Sequence, residues 1–447
     1  MDKKTKFFEY LTIGLFAIAL LGGGLLAQIP SLRPSYSEEE KRELAKFPEY
    51  SAETLADGSY FTDISLWFSD TFPFREQLVM LNAAVESLHG KTSIQISGNV
   101  VEGDEIPDAE TDAPTEDEPV EEPPAEEEEV FQDDDGIDEN YTDPEDPGAV
   151  QKFGAVLQVG DTAYEYYGFS ESAAHSYASM VKDTAAALGE NVQVYTMVVP
   201  NSMGVMLPDS LRGSIKTGDQ EKAIDFIYAQ MGEQIQTVPI YAALRAHRSE
   251  YIYFRTDHHW TALGAYYAYT KLASVNDWEL NELSRYETIS YGPFLGSFYS
   301  HTGKSAALAA NPDELIAYKP FYESSYTYWD RSGSPHNAPV VTDVSNWSKS
   351  SKYSAFISGD QPYGEIHNAS LTDGSSCVIL KESYGNAFVP FLAAHYENTY
   401  VVDYRYWKGK LPALVAEKGI SDVYFVNNIM AAQTNVRINE MRNLSAQ

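Results

Sequence analysis

Six short apolar segments, separated by helical stretches, constrain the fold of this 447-residue chain more than any other feature. They are residues 192–199 (VQVYTMVV), 237–240, 251–254, 377–381, 399–403 and 422–426. Each is too short for a stable helix and rich in the β-branched and aromatic residues that suit a pleated surface. Helical patterns lie at 170–188, 222–231, 241–244, 261–273, 386–396 and 411–417. Continuous apolar strands alternating with helices predict an α/β fold, a mainly parallel sheet covered by helices on both faces. Chemistry in such sheets collects at the carboxyl ends of the strands. The segment 280–370, with many Gly, Ser, Pro and Tyr, reads as irregular.

Three of these strand ends carry chemically competent residues. The segment 251–254 runs into Arg255-Thr256-Asp257-His258-His259-Trp260. In an extended chain residues i and i+2 share a face, so Asp257 and His259 would meet and His258 would point elsewhere. A carboxylate beside an imidazole fixes its tautomer and stabilises the imidazolium formed on proton transfer. The strand 377–381 delivers Ser383 onto a turn before a helix, where amides can hold an oxyanion. A helix cap is the competing reading of that serine. Asn427 and Asn428 follow the last strand and are candidate oxyanion donors, although asparagine is also a common turn residue. Tyr384 and Arg405 are further candidates for oxyanion or substrate contact.

The same residues carry a resemblance. The block Tyr253-Phe254-Arg255-Thr256-Asp257-His258-His259-Trp260-Thr261, continuing to Gly264-Ala265-Tyr266-Tyr267, resembles the signature of the bacterial DHHW protein family. That family is similar to the alginate O-acetylation proteins, which are SGNH-hydrolase-like. Looser matches are Phe68-Ser69-Asp70 with Phe72-Pro73-Phe74-Arg75, Val199-Pro200-Asn201-Ser202, Gly296-Ser297-Phe298-Tyr299, and Ser383-Tyr384-Gly385-Asn386. The resemblance implies an SGNH-hydrolase-like fold in which Asp257 orients, His259 is the base and Ser383 the nucleophile. The family usually has aspartate before this serine, where this chain has Glu382. The resemblance implies a serine-dependent O-acetyltransferase or acetylesterase acting on a cell-envelope or secreted polysaccharide. It also implies an acyl donor supplied by a membrane-bound O-acyltransferase. A non-catalytic protein that binds glycan or scaffolds an assembly is the alternative.

The amino terminus sets the expected location. Lys3, Lys4 and Lys6 precede an apolar stretch at 11–29, which at 1.5 Å per residue would span about 28 Å, close to a bilayer core. The lysines place residues 1–10 inside the cell and the bulk of the chain outside, as a single-pass signal anchor. A cleaved signal peptide is the competing reading, but Leu25 is a poor match three residues before a cut after Ala27.

Charge divides the rest. The formal net charge is −35, yet residues 101–150 alone hold 23 acids and no Lys or Arg. Subtracting them leaves 43 acids against 31 bases, a net of −12. Such a run, punctuated by prolines, repels itself and cannot bury a core. The expected organisation is a stem at 30–44, a folded domain at 45–101 and 149–447, and a disordered acidic insertion at 102–148. Strand-like pieces at 94–101 and 153–159 flank that insertion, and a linker is its alternative reading. No basic cluster suggests nucleic-acid binding. The one cysteine, Cys377, lies in an apolar run and reads as a buried hydrophobe. Neither a cofactor nor a metal is expected; a metal hydrolase using Asp257, His258 and His259 ranks last, because adjacent histidines in a strand diverge and no other His/Asp cluster has ligand spacing.

Overall fold

The computed structural model describes residues 29–37, 42–44, 46–48, 50, 60, 64, 67, 68, 71–74, 104–107 and 136–445. The chain divides into two compact units, Met1–Ser93 and Ile94–Gln447. In the first, the guanidinium of Arg33 lies 3.8 Å over the ring of Trp67 and bonds Thr71 Oγ1 at 2.6 Å. Residues 11–28 of the expected membrane segment and the expected strand at 94–101 lie outside the described residues. Among the described residues, no helix is long and apolar enough to cross a membrane.

The second unit opens with a small antiparallel sheet of β1 (Val150–Phe153), β2 (Val156–Val159) and β3 (Thr162–Glu165). Helix α1 (Glu171–Leu188) follows, its first turn capped by Ser170, whose hydroxyl accepts from the Ala173 amide. Strand β4 (Gln193–Val199), helix α2 (Gln220–Tyr228), strand β5 (Ile235–Thr237) and helix α3 (Ala262–Val275) come next. An antiparallel pair, β6 (Glu287–Phe294) and β7 (Asp313–Lys319), stands apart from the main sheet. Strands β8 (Ser324–Trp329), β9 (Pro335–Ala338) and β10 (Tyr363–Asn368) complete the middle of the chain. The last part runs β11 (Ser376–Lys381), α4 (Gly385–Leu392), β12 (Asn398–Asp403), α5 (Leu411–Lys418), β13 (Asp422–Asn428) and α6 (Asn435–Ser445).

Eight strands form one sheet in the order β9-β8-β10-β12-β11-β13-β4-β5. Pairings among β12, β11, β13, β4 and β5 are parallel, as the alternating pattern predicts. Pairings of β9 with β8, β8 with β10 and β10 with β12 are antiparallel. The sheet is therefore mixed, a parallel core with an antiparallel wing. The wing comes from the segment that reads as irregular in sequence. Its outermost strand β9 is almost wholly exposed and carries no apolar alternation to betray it.

Two apolar layers cover the sheet. One packs α1, α2, α5 and α6 against Val194, Val198, Leu380, Val402 and Phe425. The other packs α3, α4 and the loop around Trp260 against Met197, Ile379, Val401 and Tyr424. Neighbouring residues along each strand thus feed opposite layers, and this is why the strands read as unbroken apolar runs.

Residues 108–135 of the expected acidic insertion lie outside the described residues. Residues 136–148 are pinned to the domain: Asp143 accepts from the amides of Asp209 and Ser210, at 2.9 and 2.6 Å, and Asp138 from that of Ser249 at 2.6 Å. Arg248 stacks 3.5 Å over Tyr141. Asp104 caps the start of α1 through the Glu171 amide. Carboxylates with amide partners order a segment whose charge alone would keep it solvated.

Candidate active site

The segment 251–254 is not a sheet strand. An antiparallel bridge between Tyr253 and Trp260 closes a tight loop that presents Asp257, His258 and His259. The amide of Phe254 bonds the carbonyl of His259, and that of Thr261 the carbonyl of Ile252. Gly264, in the first turn of α3, permits the close approach; a Cβ there would lie 2.4 Å from the Ile252 oxygen. Buried Asp313 anchors the loop from β7. Its carboxylate accepts from the amides of Arg255 and Thr256, at 3.0 and 2.7 Å, and from the Thr256 and Tyr251 hydroxyls.

Within the loop Asp257 Oδ1 bonds His259 Nδ1 at 2.5 Å and accepts from the His259 amide at 3.0 Å. The expected partnership is present, but a bend brings it about and not an extended chain. Asp257 Oδ2 accepts from the Ser297 amide at 2.7 Å. Gly296 leaves room for the carboxylate, since a Cβ there would lie 2.1 Å from Oδ2. An ionised carboxylate only accepts, so Nδ1 carries the imidazole proton and Nε2 is left to accept. Nε2 lies 2.7 Å from Ser383 Oγ. Burial works against the charge on Asp257, but His259, His258 and the Ser297 amide outweigh it and hold the carboxyl well below the usual carboxylate range.

Ser383 sits in the turn between β11 and α4, at the carboxyl end of the sheet. It is not a helix cap, because its hydroxyl faces His259. Glu382 shapes this turn. Its buried carboxylate accepts from the amides of Tyr384 at 2.9 Å and of Asn428 at 2.7 Å, fastening the nucleophile turn to the end of β13. Burial raises the Glu382 carboxyl, with Arg405 opposing. Gly385 allows the chain to double back over Lys381, whose Cβ a side chain at 385 would approach to 2.5 Å. The Ser383 amide donates to no acceptor among the described residues.

The other expected candidates have different places. Asn427 is buried and accepts from the Tyr177 hydroxyl on α1, in the layer opposite the His259 loop. Asn428 caps the turn after β13 through the Ala431 amide at 3.0 Å. Neither side chain hydrogen-bonds Ser383. Tyr384 is fully buried; its carbonyl accepts from Trp260 Nε1 at 2.9 Å, and its hydroxyl donates to the His258 carbonyl. Arg405 lies near the site but inside a charge network. It bonds both oxygens of Asp403 and pairs with Asp360 at 2.9 Å. Buried Lys381 joins Asp403 and Asn386, and Asn386 donates to Asp360 at 2.9 Å. Burial opposes ionisation of Asp360, but Arg405 and Lys381 hold its carboxyl well below the usual range.

His258 does not diverge from its neighbour. The two rings lie 3.8 Å apart, and His258 Nδ1 bonds Ser297 Oγ at 2.6 Å. Asp257, His258 and His259 can each offer a ligand atom within 4.8 Å of the others, so the loop could gather a cation. Such an ion would compete for the atoms that already join Asp257 to His259. Tyr353 was not foreseen from sequence. Its ring stacks on His259 at 4.0 Å with 12° between planes, and its hydroxyl donates to the Ser383 carbonyl at 3.1 Å. Tyr353, Asp360 and Asp313 all come from the segment that reads as irregular, so no local pattern pointed to them.

Comparisons with known proteins bear on the family and the fold. A family model described as DHHW protein matches residues 40–402. The crystal structure of a DHHW family protein from Eubacterium siraeum is 31% identical, with a TM-score of 0.59, covering 65% of this chain and 96% of that one. The structure of Bacillus cereus PatB1 with a sulfonyl adduct is 18% identical, with a TM-score of 0.53, covering 63% of this chain and 97% of that one. That second likeness is one of fold. No curated protein matches the chain.

Proposed function

Because the chain belongs to the DHHW protein family, and because a serine hydroxyl lies at the end of a formed proton relay, we propose that it is a serine-dependent O-acyltransferase or esterase acting on a polysaccharide. The observation that carries this reading is the alignment of Ser383 Oγ, His259 and Asp257, with contacts of 2.7 and 2.5 Å. Ser383 Oγ attacks the acyl carbonyl while His259 Nε2 takes its proton. The leaving group departs with that proton, and an acyl-serine remains. A sugar hydroxyl or water then attacks, giving its proton to His259, which returns it to Ser383 Oγ. Asp257 stabilises the imidazolium at each stage without itself taking the proton. The Ser383 amide, without an acceptor among the described residues, would donate to the tetrahedral oxyanion. The sulfonyl adduct recorded for PatB1, a protein of the same fold, fits this reading, because sulfonyl groups attach to activated nucleophiles.

In the same proposal residues 11–29 anchor the chain in the cell membrane, the catalytic unit lies outside, and a membrane-bound O-acyltransferase supplies the acyl group. The test is incubation with p-nitrophenyl acetate and an oligosaccharide acceptor, following nitrophenolate release and acetylated sugar by mass spectrometry. Ser383→Ala should lose both signals. Turnover by that variant at the wild-type rate would overturn the mechanism. Acetylated sugar, in place of free acetate alone, marks a transferase.

A further inference from the structure

The antiparallel wing carries a row of aromatic rings beside the catalytic turn. Trp329 closes β8 and Tyr363 opens β10; they are cross-strand partners with ring centroids 5.3 Å apart. Tyr363 continues to Trp407, stacked at 6.0 Å with 19° between planes. Trp407 belongs to the loop that leaves the carboxyl end of β12, as do Arg405 and Tyr406. Its indole is seated on Gly409, where a Cβ would lie 2.1 Å from Cζ2, so only glycine leaves room for the ring there. All three rings are half-buried, each keeping part of its surface toward solvent.

A cation is fixed on the same row. The exposed Arg331 lays its guanidinium 3.9 Å over the Tyr406 ring, and no acid pairs with it among the described residues. Lys408 is exposed on the same loop. In a chain of formal net charge −35, an unpaired guanidinium held in place by a ring is a local exception that favours an anionic partner.

The row lies at the same end of the sheet as the nucleophile, with Tyr363 and Trp407 packed on the face opposite the His259 loop. Lys381 and Asp403 are register partners on β11 and β12, so Ser383 and Arg405, each two residues on, leave adjacent strand ends. With about 4.8 Å between strands, the row runs from roughly 5 to 15 Å from the strand that carries Ser383. Asp360 bridges the two ends, bonded to Arg405 on one side and Asn386 on the other.

We propose that this strip binds an anionic glycan chain, with sugar rings stacked along Trp407, Tyr363 and Trp329 and a carboxylate or phosphate paired with Arg331. The proposal deepens the acyl-transfer reading and rests on it, since the strip would hold the acceptor across the end of the sheet that carries Ser383. Flat apolar rings with polar rims suit the faces of pyranose rings, and the charge complementarity selects an acidic polymer over a neutral one.

The test titrates the full chain, by tryptophan fluorescence, with three probes: oligogalacturonate, a glycerol-phosphate polymer and neutral maltooligosaccharide. One or both anionic polymers should bind, and the maltooligosaccharide at least tenfold more weakly. The anionic probe that binds identifies the charge as carboxylate or phosphodiester. Trp407→Ala and Arg331→Ala, checked for unchanged melting, should each weaken anionic binding tenfold or more. Ser383→Ala should bind as the wild type does, which separates this claim from the catalytic one. Equal affinity in both strip variants, or equal affinity for the neutral oligosaccharide, would overturn the proposal. So would binding that appears only after deletion of residues 108–135, which would give the strip to the chain's own acidic segment.

Discussion

Trp260 and Tyr384 bind the two halves of the site to each other. The Trp260 indole donates to the Tyr384 carbonyl at 2.9 Å, and the Tyr384 hydroxyl returns to the His258 carbonyl, two residues before Trp260. Both side chains are fully buried. The loop bearing the base and the turn bearing the nucleophile are therefore held by reciprocal bonds. Trp260→Phe keeps much of the apolar volume and leaves the Tyr384 carbonyl unpaired, at a cost of about 1–3 kcal/mol. Urea unfolding should show that loss. Turnover should fall too, because the Ser383–His259 distance is no longer fixed. Tyr384→Phe should act alike, and the double variant should lose less than the sum of the two.

Glu382 is predicted to matter through its two amide partners. Glu382→Gln keeps one acceptor oxygen and turns an NH2 group toward an amide N–H, so one buried donor goes unpaired. A loss of about 1–3 kcal/mol is expected, together with slower acylation. Asn428→Ala removes only a cap and should cost about 1 kcal/mol with little effect on acylation. Comparing the two variants by urea unfolding and burst kinetics checks the assignment.

Asp257 gives a pH signature. Its folded carboxyl lies below the unfolded value of about 3.9, so the unfolded chain binds the proton more readily. The resulting stability is fully present above that unfolded value and is lost as pH falls through the folded one. The gap in unfolding free energy between wild type and Asp257→Asn should therefore be constant near neutrality and shrink on acidification. A gap that widens in acid would contradict the ionised carboxylate. Turnover by Asp257→Asn should fall about 10³–10⁴-fold, because the amide favours the wrong imidazole tautomer.

His258 separates relay from metal chemistry. It touches Ser297 and lies outside the contacts joining Asp257, His259 and Ser383. His258→Ala should retain activity within about tenfold, the lower range of a general-base contribution being about a hundredfold. Exhaustive chelation should leave p-nitrophenyl acetate turnover unchanged. Loss of turnover on chelation, restored by added metal, would replace the relay with a cation held by the Asp257–His259 loop.

Sequence showed the parallel core and the central residues of the site because both are local. Met197–Val199 and Cys377–Leu380 are unbroken apolar runs, and Asp257 and His259 are two residues apart. Ser383 was legible because β11 ends just before it. The antiparallel wing was not, since β9 is exposed and β8 only half-buried, which leaves no apolar run to read. Tyr353 and Asp313 reach the catalytic loop across long sequence separations, through packing that no short pattern encodes. Asn427 shows the opposite failure. Its position at a strand end suggested a donor, but strand alternation turns its side chain to Tyr177 on the other face.

The central claim is that Ser383 is an activated nucleophile, and the most direct measurement is intact mass after treatment with phenylmethylsulfonyl fluoride. The account predicts one sulfonyl adduct on the wild type, mapped to Ser383, absent from Ser383→Ala and formed far more slowly on His259→Ala. A wild type that stays unmodified, or an adduct that persists in Ser383→Ala, would contradict it.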